Sequence, residues 1–97
     1  MVRFSVEDSK LVCSFSHRLD SVNCEKWEKH LMEKVRESKM PVVFDMERVN
    51  YIASAFLRIC VMVAKEVGEK NLTIVKTSDY VRKVFKISGL DKKIKIK

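Results

Sequence analysis

Glycine and proline are scarce in this 97-residue chain, which has only Gly68, Gly89 and Pro41. Such scarcity excludes a flexible linker, a low-complexity segment and a collagen-like repeat. Cysteine is odd in number: Cys13, Cys24 and Cys60 cannot close a disulfide framework, and no Cys-x-x-Cys spacing signals zinc or redox chemistry. A reducing compartment fits them best. Long apolar runs are missing as well. The longest, Ile52 to Ala64, is interrupted by Arg58 and falls short of the roughly 20 residues a bilayer span needs. The first residues, Met1-Val2-Arg3-Phe4-Ser5-Val6-Glu7-Asp8, lack the apolar core of a signal peptide. The expectation is a cytoplasmic protein.

What is present is the composition of a globular protein, 46% apolar and 34% charged. A chain of this length buries roughly 60–65% of its unfolded surface, enough for one core, so residues 1–97 are expected to form a single domain. The net charge of +7 is uneven: residues 65–97 hold ten Lys/Arg against four Asp/Glu and carry nearly all of it. A basic third of this kind could meet nucleic acid or an anionic membrane. No aromatic interleaving or nucleic-acid module accompanies the lysines, and a solvated face is the expectation.

Val2, Phe4 and Val6 alternate with polar residues, as do Leu11, Cys13 and Phe15, which predicts a hairpin turning at Glu7-Asp8-Ser9-Lys10. From Val22 to Ser38 the period lengthens, with Trp27, Leu31 and Val35 on one helical face and Ser21 or Asn23 as cap. Trp27 should face the core. Pro41 ends that helix, and Val42 to Met46 reads as a central strand apolar enough to be covered on both faces. The polar stretch Glu47-Arg48-Val49-Asn50 follows as a connection. A mostly apolar helix then runs from Ser54 to Val67, with Gly68 behind it. Asn71 to Lys76 predicts another strand. Ser78 caps a helix striped with Val81, Val84, Phe85 and Ile87 and stopped by Gly89, and Ile94 and Ile96 alternate with lysines as a last edge strand. The order β-β-α-β-α-β-α-(β) requires parallel pairs beside an antiparallel hairpin, hence an α/β fold with a mixed sheet and three helices.

Three segments, read together, resemble the STAS domain of anti-sigma-factor antagonists. Arg18-Leu19-Asp20 is similar to the family's Gly-x-Leu-Asp turn. Val42-Val43-Phe44-Asp45-Met46 followed by Val49-Asn50-Tyr51-Ile52-Ala53-Ser54-Ala55-Phe56-Leu57 is similar to its strand, loop and Asp-Ser-Ser/Thr-Gly-Leu helix start. Val81 to Leu90 is similar to its closing helix, which ends in Ser/Thr-Gly-Leu. The resemblance implies a protein-interaction module that captures an anti-sigma factor, itself a serine kinase of the histidine-kinase-like ATPase class. It implies phosphorylation at Ser54 and a partner surface formed by Arg18, Leu19, Asp20, Ala53, Ala55, Phe56 and Arg58. Ala53 replaces the motif's Asp, Ala55 its second hydroxyl residue, and Phe56 and Arg58 its glycines. The alternative is a non-switching STAS module serving as a subunit of a larger transporter or signalling complex.

Each of these residues has a plainer reading. Ser54 is also a favoured helix N-cap, and Asp20 a common turn residue. Phe56 is either buried between its helix and a neighbour or exposed as an aromatic anchor. Arg58, one turn beyond Ser54, could reach a phosphate there. Cys24 lies in a first helical turn, where a thiol pKa can be lowered, or is inert packing. His17 and His30 stand apart from other ligand types, so no metal is expected. No phosphate loop, nucleophile elbow or carboxylate pair indicates an enzyme or a cofactor. A monomer or weak dimer is expected.

Overall fold

The computed structural model describes residues 2–97. β1 (Val2–Glu7) and β2 (Lys10–Leu19) form the antiparallel hairpin, with Val6 opposite Leu11 and Glu7 opposite Lys10. Asp8 and Ser9 both take positive φ, 52° and 63°, the conformation a two-residue hairpin turn demands. After α1 (Ser21–Ser38), the chain alternates β3 (Val42–Ile52), α2 (Ser54–Val67), β4 (Leu72–Val75), α3 (Asp79–Ser88) and β5 (Lys95–Ile96). The strands lie in the order β1-β2-β3-β4-β5, and every pairing after the hairpin is parallel.

Because each parallel strand is added beside the previous one, right-handed crossovers carry all three helices to the same side of the sheet. The aromatic core follows from this. Phe15 of β2 and Phe44 of β3 meet Trp27 of α1 and Phe56 of α2, with Phe85 of α3 against Phe56. Phe15, Phe44, Phe56 and Phe85 are all completely buried or nearly so. Among the described residues, no helix covers the opposite side of the sheet. There Val12, Ser14, Val43, Asp45, Thr73 and Val75 are half-buried, so β3 is covered fully on one face only, not on both.

β3 is also longer than its apolar run. It continues through Glu47-Arg48-Val49-Asn50 to Ile52, and register shifts against β2 lie between Ser14 and Ser16 and between His17 and Arg18. Such bulges break strict alternation: Met46 and Val49 are both buried, as are Val49 and Ile52. The stretch therefore looks like a connection when read by period. His17, with φ 66°, lies within β2 opposite Val49, beside the second register shift, where Asn50 of β3 is the extra residue.

The helix ends depend on local chemistry. Lys39 takes a left-handed φ of 53° after α1, two residues before Pro41. Gly68 follows α2 with φ 96° and donates its N–H to the Ala64 carbonyl at 2.8 Å. Ser78 caps α3, its Oγ accepting from the Val81 N–H, and Gly89 closes it at φ 83°. Ile87 departs from the expected stripe: it is 79% exposed, while Val81 and Phe85 carry the buried face.

Candidate functional site

The carboxyl ends of parallel β2 and β3 and the starts of α1 and α2 come together at one edge, where open α/β sheets usually bind their partners. A single backbone hydrogen bond joins the two connections: the Ala53 N–H donates to the Leu19 carbonyl at 3.0 Å. Arg18-Leu19-Asp20 and Ala53-Ser54-Ala55, 33 residues apart at the nearest, thus share one surface.

In the first segment, Arg18 and Leu19 are the last residues of β2 rather than a turn. The cap of α1 is Asp20, in place of the expected Ser21 or Asn23. Its Oδ1 accepts from the Asn23 N–H at 2.9 Å, and its carbonyl accepts from the Cys24 N–H at 2.9 Å. The Asn23 side chain in turn donates to the Arg18 carbonyl at 2.9 Å. Arg18 is exposed, 3.7 Å from Asp20 Oδ2, and its guanidinium lies 4.2 Å from the centre of the Tyr51 ring. Tyr51 stacks on Tyr80 of α3, centroids 6.5 Å apart at 18°. The Leu19 side chain is fully buried; what it offers this edge is its carbonyl, which corrects its expected place among the contact side chains.

In the second segment, Ala53 occupies the N-cap position of α2, with φ −105° and ψ 171° and no side-chain oxygen to cap the helix. Ser54 is the first helical residue and is exposed, so it is not the cap. The N–H groups of that first turn lack a side-chain partner and form the positive end of the helix dipole. Ala53 and Ala55 are half-buried. Phe56 is 0% exposed, which removes the exposed-anchor alternative and makes it a core residue.

Arg58 is exposed and pairs across the helices with Glu28 of α1, Nη2 to Oε1 3.4 Å. Beside it runs an open groove between α1 and α2, lined among others by Ser21, Cys24, Glu25, Glu28, Ser54 and Arg58. Cys24 does not have the lowered pKa that a first-turn position can give. Burial pushes its thiol up to about 11, with Asp20 and Glu28 adding to the effect and Arg58 opposing it. Tyr51, Tyr80 and Glu28 are site neighbours the sequence does not announce. Their partners lie on other elements, and no spacing along the chain encodes those contacts.

Residues 2–97 match the sequence profile of the STAS domain. BtrV of Bordetella bronchiseptica, assigned as an anti-sigma factor antagonist, is 34% identical over 84 residues, which cover 84% of this chain and 72% of BtrV. The chain belongs to the STAS domain family. Solved structures of anti-sigma factor antagonists share its fold. An anti-sigma factor antagonist from Mycobacterium paratuberculosis superposes with a TM-score of 0.88 at 22% identity, over 99% of this chain and 83% of that one. The unphosphorylated form of the anti-sigma factor antagonist SpoIIAA gives 0.80 at 20% identity, over 100% and 88%. In this STAS chain, the segments that resemble the family's turn and helix start are the two joined by the Ala53–Leu19 hydrogen bond.

No described helix is long and apolar enough to cross a membrane. Among the described residues, no group of three or more His, Cys, Asp or Glu side chains could hold a metal ion.

Proposed function

We propose that this STAS domain acts in the cytoplasm as an anti-sigma-factor antagonist, capturing an anti-sigma factor that is a serine kinase of the histidine-kinase-like ATPase class. The observation that carries this reading is the Ala53–Leu19 hydrogen bond, because it holds exposed Ser54 beside exposed Arg18 and half-buried Asp20 at one edge. Exposed Val22 and Tyr80, on the first turns of α1 and α3, widen that edge with apolar surface. Aromatic and arginine side chains of this kind dominate protein interfaces. The module itself is not an enzyme, requires no metal or cofactor, and works as a monomer or weak dimer.

Phosphorylation of Ser54 ends the capture. The γ-phosphoryl group of ATP passes to Ser54 Oγ: a new O–P bond forms, the bond to the β–γ bridging oxygen breaks, ADP leaves, and the hydroxyl proton goes to a base on the kinase. The product adds about −1.5 to −2 charges at neutral pH. It is welcome at the helix start but repels an acidic partner surface. SpoIIAA, which shares this fold, has been solved in both unphosphorylated and phosphorylated forms, in keeping with such a switch.

The test is incubation with an anti-sigma kinase of this class and ATP, followed by intact mass measurement and a binding assay. Phosphate should appear on wild type and not on Ser54→Ala, which still captures the kinase, while Ser54→Asp binds more weakly. A second reading, a non-switching subunit of a larger assembly, draws on Ala53 and Arg58 at positions where the family has Asp and Gly. It takes over if no phosphate is incorporated and Ser54→Asp binds as wild type.

A further inference from the structure

Arg58 and Glu28 face each other across the groove between α2 and α1, and theirs is the cross-helix ion pair at the Ser54 end; Arg36 and Glu66, 2.9 Å apart, form another farther along. Ser54 and Arg58 are four residues apart on one helix and so share a face, and both line the groove with Glu28. The Arg58 side chain is 67% exposed against 27% for Glu28. The arginine is therefore not fixed by packing, whereas the carboxylate is held close to the helix surface.

We propose that Arg58 is the residue that reads phosphate on Ser54, and that Glu28 holds it in the unmodified protein. This rests on the reading that Ser54 is modified. A phosphoserine presents more charge than a carboxylate and three acceptor oxygens, and guanidinium binds such groups through paired, charge-assisted hydrogen bonds. Arg58 leaves Glu28 for the phosphate one turn behind it on its own helix. Glu28 is then left without its cation beside Glu25 on the α1 wall. The modification thereby changes two sides of the groove at once: negative charge appears on α2 and is uncovered on α1. A partner contacting α1 alone would register the event.

The charged groups that line the groove are Glu25, Glu28, Lys29, Glu33 and Arg36 from α1 and Arg58 from α2, with Arg36 taken up by Glu66 farther along, and Arg18 and Asp20 stand at the adjoining edge beside Ser54. Their effects can be separated without a kinase, by inserting phosphoserine at position 54 during translation through codon suppression and following the phosphorus resonance between about pH 4.5 and 8. A nearby cation favours the dianion and lowers the phosphate's second ionisation, while a nearby carboxylate raises it. Arg58→Gln should therefore raise the midpoint by roughly 0.5 pH unit, Arg58→Lys should recover part of the difference, and Glu28→Gln should lower it below wild type. An unchanged midpoint in Arg58→Gln overturns the proposal. A midpoint in Glu28→Gln equal to or above wild type overturns the role of Glu28. Partner capture is not read in this experiment, so its failure leaves the antagonist function standing. Conversely, a protein that captures no kinase would still show the Arg58 effect.

Discussion

The ring of Phe56 meets that of Phe15 edge to face, with centroids 5.2 Å apart at 77°. The contact ties the first turn of α2 to the middle of β2, with Phe44 and Trp27 completing the cluster. A residue type that replaces a family glycine at the partner edge has thus turned inward and become part of the core.

Phe56→Ala should accordingly cost about 3–5 kcal/mol of stability, the range for truncating a buried aromatic, read as a fall in the urea midpoint. A change below about 1 kcal/mol, or a variant altered only in partner choice, would place Phe56 on the surface after all.

Trp27 presents a different balance. The residue is 8% exposed, yet its Nε1–H is buried without a hydrogen-bond acceptor among the described residues. Native fluorescence should be blue-shifted and resist iodide quenching. Trp27→Phe removes the orphaned donor along with some apolar contact, and each effect is of the order of 1–3 kcal/mol with opposite sign. The net loss should stay below about 2 kcal/mol, well short of that for Trp27→Ala.

At the edge itself, Asp20 has a measurable structural duty. Asp20→Ala deletes the α1 cap and should cost about 1 kcal/mol, whereas Asp20→Asn preserves the acceptor and most of the stability. Thermal melts of the two variants make the comparison. Equal losses would mean that charge, through Arg18, matters more than the cap hydrogen bond.

The three thiols give a pH signature. Burial raises Cys13 from 9.0 to about 12 and Cys24 to about 11, and pushes Cys60 well above its ordinary value. These groups remain protonated in the folded chain at pH values where the unfolded chain has begun to lose its thiol protons. Their contribution is present in full below about pH 9 and shrinks as pH rises toward 11 and 12. Denaturant midpoints should fall from pH 8.5 to 10.5, less steeply in Cys13→Ala measured against its own value at neutral pH. Ellman's reagent at pH 8 should find no thiol until the protein is unfolded, and then all three.

Much of this architecture is readable from local chemistry alone. The hairpin alternation, the Ser78 cap, the Gly89 stop and the four-residue steps from Trp27 to Val35 are each set by a few neighbouring residues, and the structure keeps them, except that Val6 beside the hairpin turn is exposed. Reading by period fails where a tertiary neighbour reorganises the backbone. The paired bulges of β2 and β3 hide the second half of β3. Asp20 prevails over Ser21 and Asn23 as cap because the chain leaves β2 directly into the helix. The site is less legible than the fold. Ser54, Arg18 and Asp20 stand out through the family resemblance, but the Leu19 carbonyl, the Arg18–Tyr51–Tyr80 stack and the Glu28–Arg58 pair exist only once distant elements are brought together.

The strict strand order has a consequence for how the chain is made. Every strand pairs with the strand just before it in sequence, so no later segment must be threaded between two earlier ones. As the polypeptide leaves the ribosome, each β-α unit can be laid on the current margin of a growing sheet, first β3 on the hairpin, then β4, then the two-residue β5. The topology permits vectorial assembly: the largest gap in sequence that any pairing must close is a single helical crossover, which keeps the entropy lost in loop closure small at every step.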